Sequence, residues 1–148
     1  MSTDESVTKD IIETLEDGKD GFTKGAETLG ALDQASLVTT FQGLADQRSR
    51  FADDLQKMAS EYGDDVDKTG SMAAKVHRGW MSLKDALSKS DAKAVLDVAK
   101  QGEDHAVTEY EKALSEDISA GLRAVLETQF AEIKTARSTI SSLVDSHA

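Results

Sequence analysis

The stretch ISAGLRAVLETQFAEIKTARSTISSLV, residues 118–144, places apolar side chains at Ile118, Leu122, Val125, Leu126, Phe130, Ile133, Ala136, Ile140, Leu143 and Val144. They recur every three or four residues, the spacing that gathers them on one face of an α-helix. The stripe is the cleanest in the chain. Toward the N-terminus the same spacing returns in Val95, Leu96, Ala99, Ala106, Tyr110, Ala113 and Leu114, where Ser90 is the expected N-cap and Asp91 lies in the first turn. It returns again in Leu37, Phe41, Leu44, Ala45, Phe51, Leu55, Met58, Ala59 and Tyr62, ending at Gly63, and in Val7, Ile11, Leu15, Phe22, Ala26 and Leu29, ending at Gly30. Glycine just past the last apolar position accepts the left-handed backbone that terminates a helix.

Between the second and third long stripes lies a polar, glycine-bracketed linker, residues 63–70, followed by a short amphipathic segment with Met72, Val76, Trp80, Leu83 and Leu87 on one side. With its second half helical this connection spans about 40 Å, enough to run back along a bundle. The second and third long helices are then expected to lie parallel, the ferritin-like arrangement in place of a simple up-down-up-down bundle. The predicted fold is all-α: a ferritin-like four-helix bundle, one domain over residues 1–148, with a short extra helix in the long crossover.

Composition agrees. The 148 residues contain no proline, and only 5% are aromatic. Alanine and leucine supply most of the apolar bulk, which suits helix packing over sheets. Cysteine is absent, which excludes disulfides and thiolate chemistry. The N-terminal run MSTDESVTKD has neither the basic start nor the apolar core of a signal peptide, and no stretch is long enough to span a bilayer, so a cytoplasmic location is expected. The net charge of −11 argues against nucleic acid or an anionic membrane as partner and reads as a solvated surface.

Ferritin-like metal proteins carry a Glu on each of two helices and a Glu-x-x-His on each of the others. The three residues before His77, His105 and His147 begin with Ala74, Gly102 and Val144, so no Glu-x-x-His exists. At about 100° per residue, Gly18, Arg48, Glu103 and Gln129 instead fall central on the four long stripes, each near its helix midpoint. A buried guanidinium needs a counter-charge and several acceptors. Glu103 is the one carboxylate central to a long stripe, so an Arg48–Glu103 ion pair is expected, completed by Gln129 with Gly18 leaving room. The alternative is an Arg48 that snorkels to solvent beside a partly buried Glu103. Glu13, Glu16, Asp17, Asp20 and Glu27 point away from the first stripe and are expected to be solvated.

Four runs carry a family resemblance: Asp17-Gly18-x-x-Gly21-Phe22, Gln47-Arg48-x-x-Phe51-Ala52-x-x-Leu55, His77-Arg78-Gly79-Trp80, and Gly102-Glu103-Asp104 with Tyr110 after it. Together they resemble a bacterial ferritin-like family of unknown function, small four-helix-bundle proteins often linked to stress. The likeness covers nearly the whole chain, and the crossover motif His77, Arg78, Gly79, Trp80 is its most distinctive part. Beside true ferritins, Arg48-x-x-Phe51 stands where one Glu-x-x-His would be and Gln129-x-x-Glu132 where the other would be, with Glu103 as the retained carboxylate. The resemblance implies a fold and a lineage; it supplies no activity.

Other motifs are weaker. Asp65-x-Asp67-x-Thr69-Gly70 begins like a calcium loop, but its twelfth position is Val76 where a bidentate Glu is required, so it reads as an acidic turn. Trp80 is expected to anchor the crossover, with His77 hydrogen-bonding a long helix or, alternatively, sharing a small pocket with the indole. His105 is off its stripe and expected to be exposed. Tyr62 and Tyr110 are expected in the core with hydroxyls at the rim. No Ser-His-Asp order, phosphate loop or catalytic carboxylate pair is present. The expectation is a non-enzymatic bundle with no cofactor and no metal, its di-iron site replaced, acting through a protein partner or as a homo-oligomer. The alternative is an atypical metal-binding or oxidative-stress protein using Glu103, Glu132 and Asp17 or Asp20.

Overall fold

The computed structural model describes residues 3–61, 80, 83–89 and 91–147. Within them the protein is an all-α bundle: α1 Thr3–Ala31, α2 Ala35–Glu61, the short α3 Leu83–Ser88, α4 Ala92–Leu114 and α5 Ala120–Ser146. The expected stop at Gly63, the 63–70 linker with its calcium-like run, Tyr62, Met72, Val76, Ser90 and the His77-Arg78-Gly79 part of the crossover motif lie outside the described residues. No described helix is long and apolar enough to cross a membrane.

Two helical hairpins make up the bundle. α1 and α2 are joined by the turn Leu32–Gln34, in which Asp33 takes a left-handed backbone with φ 59°. The expected terminator Gly30 is instead inside α1, which runs one residue further. The turn carries the positive φ on an aspartate, one of the few side-chain-bearing residues that tolerate it. α4 and α5 form the second hairpin. Asp91 is the N-cap of α4, its carboxylate accepting from Lys93 N, where Ser90 was expected. Ser119 caps α5 through Leu122 N, which places Ile118 in the connection just before the helix. Arg123 closes this turn by donating to the carbonyls of Leu114 (2.7 Å) and Glu116 (2.9 Å).

Contacts along the helices fix their directions. A Cβ on Gly18 would meet Arg48, and one on Gly25 would meet both Phe41 and Val95, while Trp80 lies against both Gly21 and Gly102. Residue numbers therefore fall on α2 and on α4 as they rise on α1. Both helices are antiparallel to α1, hence parallel to each other, so the end of α2 and the start of α4 lie at opposite ends of the bundle. α5 returns antiparallel to α4, with Asp104 against Arg137 and Tyr110 against Gln129. Trp80 is not on a helix, contrary to expectation: it precedes α3, its carbonyl accepting from Leu83 N at 3.0 Å.

The apolar interior has two parts. One gathers Leu15, Phe51, Leu55, Ala106, Tyr110, Leu126 and Ile133, and the other Phe22, Phe41, Ala45, Trp80, Val95, Ala99 and Ile140. The divide is crossed by α1 between Leu15 and Phe22, by α2 between Ala45 and Phe51, and by α4 between Ala99 and Ala106. Gly18, Arg48 and Glu103 lie at those crossings.

Candidate functional site: a buried ion pair at mid-height

Arg48 and Glu103 are 1% and 0% exposed, among the most enclosed side chains of the protein. Their contact is bidentate: Nη1 donates to Oε1 and Nη2 to Oε2, each at 2.7 Å. This fork geometry is the strong form of an arginine–carboxylate bond. The arginine Nε donates to Gln47 Oε1 at 3.1 Å, and the guanidinium carbon lies 5.3 Å from the centroid of the Phe22 ring. A neighbouring side-chain amide thus receives the Nε donor, and an aromatic face lies beside the charge. The snorkelling alternative does not hold, because the arginine head is inside.

Gln129 does not complete the pair. It is buried, but its Oε1 accepts from the Tyr110 hydroxyl at 2.8 Å and its Nε2 donates to the Phe51 carbonyl at 3.3 Å. Both helix neighbours of Gln129 on the inner face, Leu126 and Ile133, belong to one half of the core, so α5 crosses the divide at Ala136, between Ile133 and Ile140. The pairing of Asp104 with Arg137, at 2.6 Å, gives the same register. Gln129 therefore sits about two turns along the bundle from Glu103, and the expectation of four midpoints in one layer fails on α5 alone.

Tyr110 is correspondingly displaced from the rim. Its ring is fully buried, stacked 6.0 Å from Phe130, and its hydroxyl points inward. Burial pushes the phenol well above the ordinary tyrosine range, with the Arg48 charge pulling the other way. Tyr110→Phe leaves Gln129 Oε1 without its donor, an expected cost of about 1–3 kcal/mol in urea unfolding. The native phenol keeps its proton while the unfolded chain loses it near pH 10, so stability falls as pH rises above about 10, by up to roughly 1.4 kcal/mol per pH unit. That share of the alkaline slope should be missing from the Tyr110→Phe protein.

Trp80 is wedged between two helices. A Cβ on Gly21 of α1 would overlap Cδ2 and Cε3 of the indole, and one on Gly102 of α4 would overlap Cε2 and Nε1. The ring meets Phe22 edge-on at 4.9 Å and 75°, and Phe22 meets Phe41 at 5.2 Å and 89°. Phe22 thus connects the wedge to the ion pair. Gly18 is less demanding, since its Cβ would lie 3.3 Å from Arg48 Nη1.

The acids of α1 divide. Glu27 is exposed and Glu16 and Asp20 are half-buried, but Glu13 and Asp17 are 4% and 3% exposed and do not face open solvent. α1 packs against α2, α4 and α3, and burial along it extends beyond its apolar stripe. His105 is half-buried rather than exposed; its Nε2 is enclosed, has no hydrogen-bond partner among the described residues, and lies 3.9 Å from Glu109 Oε1. Glu132 is exposed. Among the described residues no three His, Asp or Glu side chains converge as a metal site would require. Among the described residues, the positions central to the four stripes at the level of the ion pair are Gly18, Arg48, Glu103 and Ala136, which offer one carboxylate, already taken, and no imidazole. These residues do not fit a di-iron centre.

The sequence reading missed the slot formed by Gly21 and Gly102, the Tyr110–Gln129 bond, and Gln47 as an acceptor. The glycines were findable. Two inward-facing glycines inside long helices need something large between them, and the chain has a single tryptophan.

Fold and site together define a class of protein, an all-α bundle whose mid-height polar layer is an arginine–carboxylate pair. The chain belongs to a family described as a domain of unknown function (DUF2383), matched over residues 5–116. No curated protein matches it significantly.

Proposed function

We propose that this is a non-catalytic member of the ferritin-like lineage, acting through contacts with itself or with another protein, in which the Arg48 guanidinium stands where relatives keep a metal. The observation that carries the reading is the bidentate pair: both oxygens of Glu103, the carboxylate central to its stripe at this level, are engaged by a fixed cation. A divalent metal placed there would face that cation and compete with it for the same oxygens. The parallel α2 and α4 joined by a crossover support the lineage. A role in stress belongs to the same proposal and rests on the sequence resemblance alone.

A second reading, an atypical metal-binding or oxidative-stress protein, draws support from the buried carboxylates Glu13 and Asp17. It is weakened by Glu132, which is exposed, and by Glu103, whose oxygens are occupied. Elemental analysis of untagged protein purified without chelators separates the two. The first reading expects far less than one transition metal per chain; a stoichiometric metal, lost on Glu103→Gln, supports the second.

A further inference from the structure

The two hairpins are each specified by their own connections. The short turn Leu32–Gln34 makes α1 and α2 antiparallel, and the capped, Arg123-tied connection does the same for α4 and α5. The long connection between Glu61 and Ala92 is not short enough to dictate at what height one hairpin docks on the other. Nor do the side chains directly flanking the pair resolve it. Arg48 is flanked along α2 by Ala45 and Ala52, and Glu103 along α4 by Ala99 and Ala106, all buried. The four alanines directly above and below the pair offer no steric bar of their own to a slip of one helical turn, about 5.4 Å, although farther from the pair the Trp80 slot and the Gln129 bond to the Phe51 carbonyl also cross between the hairpins.

Charge does object. A slip of one turn in either direction places the guanidinium against Ala99 or Ala106 and the carboxylate against Ala45 or Ala52, leaving two buried charges without partners. We propose that the Arg48–Glu103 pair is a registration key that selects the height at which the α1–α2 and α4–α5 hairpins dock. The pair stands close to the midpoints of both α2 and α4, so it does not distinguish one end of a hairpin from the other. Direction is supplied by the Trp80 wedge, which lies off-centre and needs Gly21 and Gly102 opposite each other, a second and steric constraint on the same height. The inference concerns assembly of the fold and is independent of any metal-binding ancestry.

The test removes the key while keeping its bulk: Arg48→Met with Glu103→Leu, observed by amide NMR on labelled protein. The expected result is a folded protein with more than one set of amide resonances for α4 and α5, reporting alternative docking heights, while Arg48→Lys keeps a single set. One sharp set in the wild-type pattern overturns the proposal, because the Trp80 wedge then fixes the register unaided. Failure of the double variant to fold also overturns it, because the pair then supplies stability and not position.

Discussion

Arg48→Met is expected to lower the stability of the protein by about 3–5 kcal/mol, read as a fall in the urea midpoint at constant slope. Methionine follows the aliphatic stem of arginine, so little cavity is created, and the loss comes from a Glu103 carboxylate left buried without its counter-charge. For a domain of this size, 1 kcal/mol corresponds to roughly 2–4 °C in Tm, so the melting temperature should fall by about 6–20 °C. An arginine that merely snorkelled would give a loss within roughly 0.5 kcal/mol, as surface substitutions do. The two cases are far enough apart for a thermal melt to distinguish them.

The second large effect is expected at Gly102. Alanine there improves helix propensity by about 1 kcal/mol, yet its Cβ would occupy the space of Trp80 Cε2 and Nε1. The indole cannot shift within the slot, because Gly21 of α1 closes the other side. Overpacking of this kind costs about 1–3 kcal/mol or more, so Gly102→Ala should be net destabilising and should shift the emission of the protein's single tryptophan to the red as the ring is expelled. Two other glycines calibrate the result. A Cβ on Gly43 of α2 meets nothing within 4 Å, so Gly43→Ala should stabilise by roughly 0.5–1 kcal/mol. Gly18→Ala asks Arg48 Nη1 to yield by a few tenths of an ångström from 3.3 Å and should be close to neutral. Equal effects at all three positions would contradict the wedge.

Much of the architecture is legible in the sequence, for a plain reason. Apolar spacing reports which face of a helix is covered by apolar neighbours, and Leu15, Phe41, Leu55, Leu96, Leu126 and Ile133 all lie where it places them. The same wheel locates Arg48 and Glu103, because a charged residue central to an apolar stripe has nowhere else to go. It misjudges Glu13 and Asp17, which lie beside the stripe of α1. Burial on α1 extends to flanking positions that apolar periodicity does not register. Gln129 is misplaced for a different reason. Its position on the inner face is read correctly, but its height depends on how the α4–α5 turn offsets the two helices. That offset is set by Ser119 as the cap and by Arg123 on the Leu114 and Glu116 carbonyls, contacts that no spacing encodes. The Trp80 slot likewise joins three residues distant in sequence.

The reading of this protein depends on Arg48 and Glu103 being each other's counter-ion in the dry middle of the bundle. A double-mutant cycle measures that directly: Arg48→Met, Glu103→Leu and both together, each unfolded in urea. Each single change should cost about 3–5 kcal/mol, and the double should cost far less than their sum, a coupling of roughly 3 kcal/mol or more. Single losses that simply add would mean that the two side chains do not answer one another, and the account of the site would be wrong.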